Sequence, residues 1–215
     1  MNENALLAIQ ANHTEYMKQV QRLANPKLTE FLEDYQQELI QCPASTRYEY
    51  VSAHPGGLME HSLRTLKYAA HLRNLYRQKD VISSESLVAA SFLGEIGKLG
   101  LLEGKKLVSY YQPQTSSWHI EKLGQTSIVN PSLMGFAVVD LSLMLCSRLG
   151  ISLSTSEWQA ISTLRAADGK EIPNPAINMG SWLPLIISQA ISASCLEGKD
   201  SKESTQVFSN SVDKK

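Results

Sequence analysis

The sequence has little cysteine chemistry to offer. Its three cysteines, Cys42, Cys146 and Cys195, are scattered and odd in number, so they form no CxxC unit, zinc knuckle or disulfide framework. A reducing cytoplasm is the expected setting. Neither sign of charge is in excess. The formal net charge is -1, which carries no electrostatic footprint for nucleic acid. No basic stretch followed by an apolar one opens the chain, so no secretory leader is expected. The most apolar run, residues 133–149, holds Asp140 and Arg148 and reads as a buried helix rather than a membrane span. No internal repeat is found.

Helical periodicity is what the sequence does have. Leu6, Ile9, Tyr16, Val20 and Leu23 predict an amphipathic helix over residues 5–23. Asn25-Pro26 reads as N-cap and first helical position. The apolar residues from Leu28 to Ile40 then continue one helix until Pro43 stops it. A helix is predicted over residues 58–76, and Ser83 or Ser84 caps another that carries Leu87, Val88, Phe92 and Leu93. Residues 107–111 and 117–120, around Gln112-Pro113, read as a β-hairpin. Asn130-Pro131 opens a helix that Gly150 closes. Ser154 and Glu157 form a capping box for a helix through Ala167. A last helix is expected over residues 179–195, and 198–215 reads as a disordered tail. The predicted fold is an all-α bundle with one small β-hairpin. It is one domain over 1–197, with N-terminal helices in 1–42 and a core in 43–197.

One stretch organises the rest, Ala53-His54-Pro55-Gly56-Gly57-Leu58-Met59-Glu60-His61-Ser62-Leu63-Arg64. The proline and two glycines make a turn that cannot lie inside a helix, so His61 falls in the first turns of the helix that follows. There an imidazole can point into a cleft and bind a metal. Arg64, Arg73 and Arg77 on the same helix read as a solvated face. Asp140 calls for a buried partner, with Arg165 the candidate for a structural ion pair.

This stretch resembles the opening helix of the HD-domain metal-dependent phosphohydrolases, in a branch common in phages and bacteria. Ile96-Gly97-Lys98-Leu99, Ser117-Trp118-His119 and Asp168-Gly169 follow in the order of that family, and the likeness spans residues 43–194. It implies an HD-domain-like helical bundle with His61 as the first metal ligand. The family's defining His-Asp pair falls at Gly94 and Glu95. Its other ligand positions fall at Val51, Ala167 and Ala190, none of which offers a donor.

The resemblance therefore implies a vestigial site of His61, Glu95 and Asp168. One imidazole and two carboxylates suit a transition metal poorly, and weak Mg²⁺ binding is the most they offer. No other cofactor is expected. The expected function is a catalytically inactive HD-domain-like binding and assembly module with a protein partner, encoded by a phage or mobile element. The alternative is a residual phosphohydrolase or nucleotide-binding protein using His61, Glu95 and Asp168. Further ligand candidates are Lys98, for a phosphate, and Trp118 with His119, for stacking a base. Their bland counterparts are a lysine capping helix carbonyls and a hairpin aromatic in the core.

Overall fold

The computed structural model describes residues 3–164 and 181–200. Helices α1 (Glu3–Gln21), α2 (Pro26–Asp34) and α3 (Gln36–Gln41) lead into a loop and then into α4 (Gly57–Leu75) and α5 (Ser84–Leu93). A 3₁₀ turn, Ile96–Leu99, enters β1 (Gly100–Glu103) and β2 (Lys106–Ser109). After these come β3 (Tyr111–Pro113), α6 (Ser117–Leu123), β4 (Ser127–Val129), α7 (Val138–Arg148), α8 (Thr155–Thr163) and α9 (Trp182–Asp200). The chain is mainly helical, with two small antiparallel ribbons, β1–β2 and β3–β4. No helix among the described residues is long and apolar enough to cross a membrane.

The start of α4 is set by backbone fit. Gly56 caps the helix at φ +78°, a conformation that L side chains rarely adopt. A Cβ on Gly57 would lie 1.9 Å from the Ser52 carbonyl oxygen. That carbonyl accepts from Ala44 N at 2.9 Å, and the Cys42 carbonyl accepts from Leu58 N at 3.1 Å. The loop of residues 42–57 is thereby folded onto the helix it precedes.

Around α4 the bundle closes in the way its apolar faces require. Every residue of α5 from Leu87 to Leu93 is buried, as expected of a helix that is apolar all round. Tyr16 of α1 stacks on Phe92 at 4.5 Å between ring centroids. α9 runs antiparallel to α4: Tyr76, just past the end of α4, meets Trp182 and Gln189, while His61 meets Ser194.

Gly97 and Ser142 tie α7 to the turn after α5. The Ser142 hydroxyl accepts from Gly97 N at 2.9 Å and donates to the Gly94 carbonyl at 3.1 Å. A Cβ on Gly97 would lie 2.3 Å from the Val138 oxygen.

The N-caps at Asn25, Ser83 and Ser154, the last a full capping box, stand as expected. Five expectations are corrected. The helix expected from Pro26 onward breaks at Tyr35 (ψ 32°), whose hydroxyl donates to the Lys105 carbonyl in the β1–β2 turn. Residues 117–120 are helical, not a strand. The expected strand after Leu107 pairs instead with residues 100–103, across a turn in which Gly104 takes φ +61°. The helix expected from Pro131 divides into a short 3₁₀ turn, Pro131–Leu133, and α7. Finally, α9 continues to Asp200, so residues 198–200 belong to it and not to a tail. Arg165, Ala167, Asp168 and residues 201–215 lie outside the described residues.

Gly97→Ala is expected to cost about 3 kcal/mol, because its methyl must displace the backbone of α7. Urea denaturation measures this directly, and an unchanged midpoint would mean that α7 moves away freely.

Candidate functional site

His61 lies in the second turn of α4 on its inner face and is 1% exposed. Glu95 follows α5 at the entry to the 3₁₀ turn that Ser142 grips, so its carboxylate is held against α4. Glu95 Oε2 lies 3.2 Å from His61 Nε2. The approach is at ion-pair distance but off the hydrogen-bond direction, and neither atom has a hydrogen-bond partner among the described residues. Glu95 Oε1 accepts from Lys98 Nζ at 2.9 Å.

On the other side of the ring, Ser194 Oγ lies 2.8 Å from His61 Nδ1. Ser194 Oγ also accepts from Arg64 Nε at 3.2 Å. The serine hydrogen is then best used toward Nδ1, which leaves the ring proton on Nε2, the side of Glu95. Arg64 donates further to Glu60 Oε1 at 2.9 Å and to Ser52 Oγ at 2.8 Å. Glu60 Oε2 pairs with His54 Nε2 at 3.0 Å, and His54 Nδ1 faces the Pro55 carbonyl at 3.0 Å. A continuous polar chain thus runs from Lys98 through Glu95, His61, Ser194, Arg64 and Glu60 to His54.

The electrostatics follow from this chain. Burial pushes the Glu95 carboxyl up, but the Lys98 charge and the His61 contact overcome it and hold the group far below the ordinary carboxylate range. Burial pushes the Cys42 thiol up to about 12, with Lys98 pulling it back and Glu95 pushing it further. Cys42 is therefore a thiol and no nucleophile. Burial opposes charge on His54, yet Glu60 and the Pro55 carbonyl outweigh it and raise that imidazole, against the pull of Arg64. Burial alone would raise Glu60, but His54 and Arg64 bring it below its ordinary value.

Lys98 and His54 both open onto a cleft of about 680 Å³, walled also by Cys42, Tyr48, Tyr111 and Gln112. His61 and Glu95 lie behind this cleft rather than in its wall. With acceptors facing both ring nitrogens, His54 stands there as a proton donor, not as a base.

Do these residues fit a catalytic metal? Among the described residues no three His, Cys, Asp or Glu side chains gather in a way that could hold one. His61 and Glu95 supply one nitrogen and one carboxylate, and that carboxylate is already neutralised by Lys98. At the Gly94 position, a Cβ would lie 2.5 Å from a Leu164 methyl and 2.8 Å from the Ala90 oxygen. A histidine side chain has no room there. Ala190 is fully buried and Val51 is 8% exposed, so two more of the implied ligand positions are packed with apolar groups. Among the described residues the donor set does not fit a catalytic metal.

Of the residues singled out from the sequence, His61, Glu95 and Lys98 come together, and Asp168 lies outside the described residues. Trp118 and His119 sit on α6 rather than in a hairpin. Trp118 is 57% exposed, so it is no core aromatic, and His119 Nδ1 is taken up by Ser116 Oγ at 2.8 Å. Neither lines the cleft. The solvated-face reading of the arginines is corrected for two of them. Arg64 is only 10% exposed in its side chain and Arg73 donates to the Ile82 carbonyl; Arg77 is exposed but lies past the end of α4 at φ +56°. Ser194 and the His54–Glu60 pair were not identified as site residues. The Glu60/Arg64 spacing of i, i+4 was the one readable sign of this network.

Set against protein-family models, curated proteins and solved structures, the chain finds no match in any of the three.

The network predicts a stability optimum in mild acid. Glu60 and Glu95 are depressed in the fold, so what they contribute is present above their ordinary 4.5 and lost as pH falls. His54 is raised, so its contribution is complete below 6.5 and lost as pH rises through its folded value. His54→Ala is therefore expected to flatten the alkaline loss of stability, read as urea midpoints at about pH 5.5 and pH 8.5. An undiminished alkaline loss in the variant would assign it to another group.

Proposed function

We propose that this chain is a degenerate HD-type domain that serves as a binding and assembly module for a protein partner, in the cytoplasm, and is not a metal-dependent phosphohydrolase. The observation that carries the reading is the 2.9 Å contact of Lys98 Nζ with Glu95. An ammonium stands where the charge of a metal would have to act. A divalent ion about 4 Å from that lysine would meet repulsion of about 8 kcal/mol at an effective dielectric constant of about 20. One imidazole and one shared carboxylate cannot offset that. Without a metal, the attacking water keeps its pKa of about 15.7 rather than about 7, and hydroxide at neutral pH is too scarce for phosphate-ester hydrolysis.

The polar chain instead rigidifies the junction of α4, α9 and the loop of residues 42–57, as a scaffold for binding requires. Buried ionic groups joined by hydrogen bonds and by the His61–Glu95 ion-pair contact hold elements in one arrangement even where they add little net stability.

The test is a panel of nucleotides and cyclic nucleotides with Mg²⁺, Mn²⁺, Fe²⁺ or Ni²⁺, with His61→Ala as control. No metal-dependent turnover is expected. Turnover that needs added metal and vanishes in His61→Ala would establish the alternative, a residual phosphohydrolase working through His61, Glu95 and Asp168. Restoring Gly94→His with Glu95→Asp is expected to gain Mn²⁺ binding only when Leu164→Ala clears the space beside position 94 and Lys98→Met removes the competing charge. Binding with Leu164 and Lys98 both in place would contradict the packing and charge arguments.

A further inference from the structure

A second concavity, of about 400 Å³, runs between α1 and α4 and ends at the start of α5. Its floor is apolar: Leu63, Leu66 and Ala70 of α4 are half-buried, and Leu87 of α5 closes it from below. Asn12, Glu15, Gln19 and Arg22 form its other bank, at the i, i+3, i+7 and i+10 spacing of one helix face.

The charge around this floor is unbalanced. Lys67 has no carboxylate partner among the described residues and lies 6.0 Å from the Tyr68 ring. Arg73 gives Nη1 to the Ile82 carbonyl and the Ser84 hydroxyl, neither of which is charged, and its buried Nε has no partner among the described residues. Buried donors are ordinarily satisfied. The one acid of the lining, Glu15, is already engaged by Gln19 at 2.6 Å and Lys18 at 3.4 Å. Arg22 is shared between Gln19 and Glu85.

We infer that this groove is the docking surface of the module, and that it takes an amphipathic α-helix with acidic flanks from a partner protein. The apolar floor between two helices suits the apolar stripe of a third. Lys67 and Arg73 along the edge call for carboxylates on that helix. A nucleic-acid backbone would satisfy the cations and leave the leucines uncovered. The chain's own residues 201–215 carry three lysines against Glu203 and Asp213, the wrong sign for this edge. A second copy offers the acids of α2, Glu30, Glu33 and Asp34, but the apolar residues of that helix, Leu28, Phe31 and Leu32, are buried in its own core.

The inference rests on the binding-module reading, yet the two fail separately, because this test uses no metal and no phosphate ester. The probe is a synthetic helical peptide with leucine at i, i+3, i+4 and i+7 and glutamate elsewhere, titrated with the full chain by fluorescence anisotropy. A lysine-for-glutamate version of the peptide and a single-stranded oligonucleotide of equal charge are compared with it. The acidic peptide is expected to bind, about tenfold more weakly to Lys67→Glu, with a loss of similar size on raising salt from about 50 mM to about 500 mM. Lys67 is exposed, so its replacement leaves folding intact, and Lys122→Glu on α6 serves as the control and should bind as the unmodified chain does. No binding of the acidic peptide, equal binding of the basic one, tighter binding of the oligonucleotide, or an unaffected Lys67→Glu would each overturn the inference.

Discussion

The contact between the Lys98 ammonium and the Glu95 carboxylate, with His61 against the other carboxylate oxygen, is the constraint around which the rest is arranged. Glu95 is fixed in place by the turn that Ser142 holds at both ends. It is largely removed from water and bears a charge that must be compensated. Lys98, three residues on, compensates it within the same turn. His61 closes the arrangement from α4, and Ser194 from α9 fixes the ring. The turn and α4 meet at this carboxylate, with α7 and α9 bracing them through Ser142 and Ser194, so a change at Glu95 is felt in the register of α4, α9 and the turn before β1.

The same interaction decides what chemistry the fold can support. A carboxylate that already has its cation is a poor metal ligand. The surroundings are closed as well, with Leu164 over Gly94 and Ala190 buried. A void at either place would cost stability in proportion to its volume.

Much of the fold was legible in the sequence. The three N-caps and the start of α4 rest on local rules, an oxygen-bearing side chain ahead of a helix and a Pro-Gly-Gly turn, and these need no tertiary information. What was not legible depended on distant partners. The helix breaks at Tyr35, whose hydroxyl reaches Lys105 in the distant β1–β2 turn. Residues 117–120 carry strand-like side chains, yet β1 and β4 take the pairing edges and leave them to coil into α6. In the site, His61, Glu95 and Lys98 were singled out because the family resemblance lays its motifs over them. Arg64 was misread as solvated because its three partners lie at Ser52, Glu60 and Ser194, two of them on other elements. The contact of Ser194 with His61 was not legible in the sequence, since only the antiparallel course of α9 along α4 brings the two together.

The central claim is that Lys98 supplies the positive charge that Glu95 requires. Carbon-13 NMR of the Glu95 carboxyl across a pH titration, in the unmodified chain and in Lys98→Met, measures this without reference to any ligand. The account predicts a midpoint far below the ordinary carboxylate value of 4.5 in the unmodified chain, moving upward by more than about one unit when the lysine charge is removed. A midpoint near 4.5 in both proteins, or one that stays low in Lys98→Met, would contradict it.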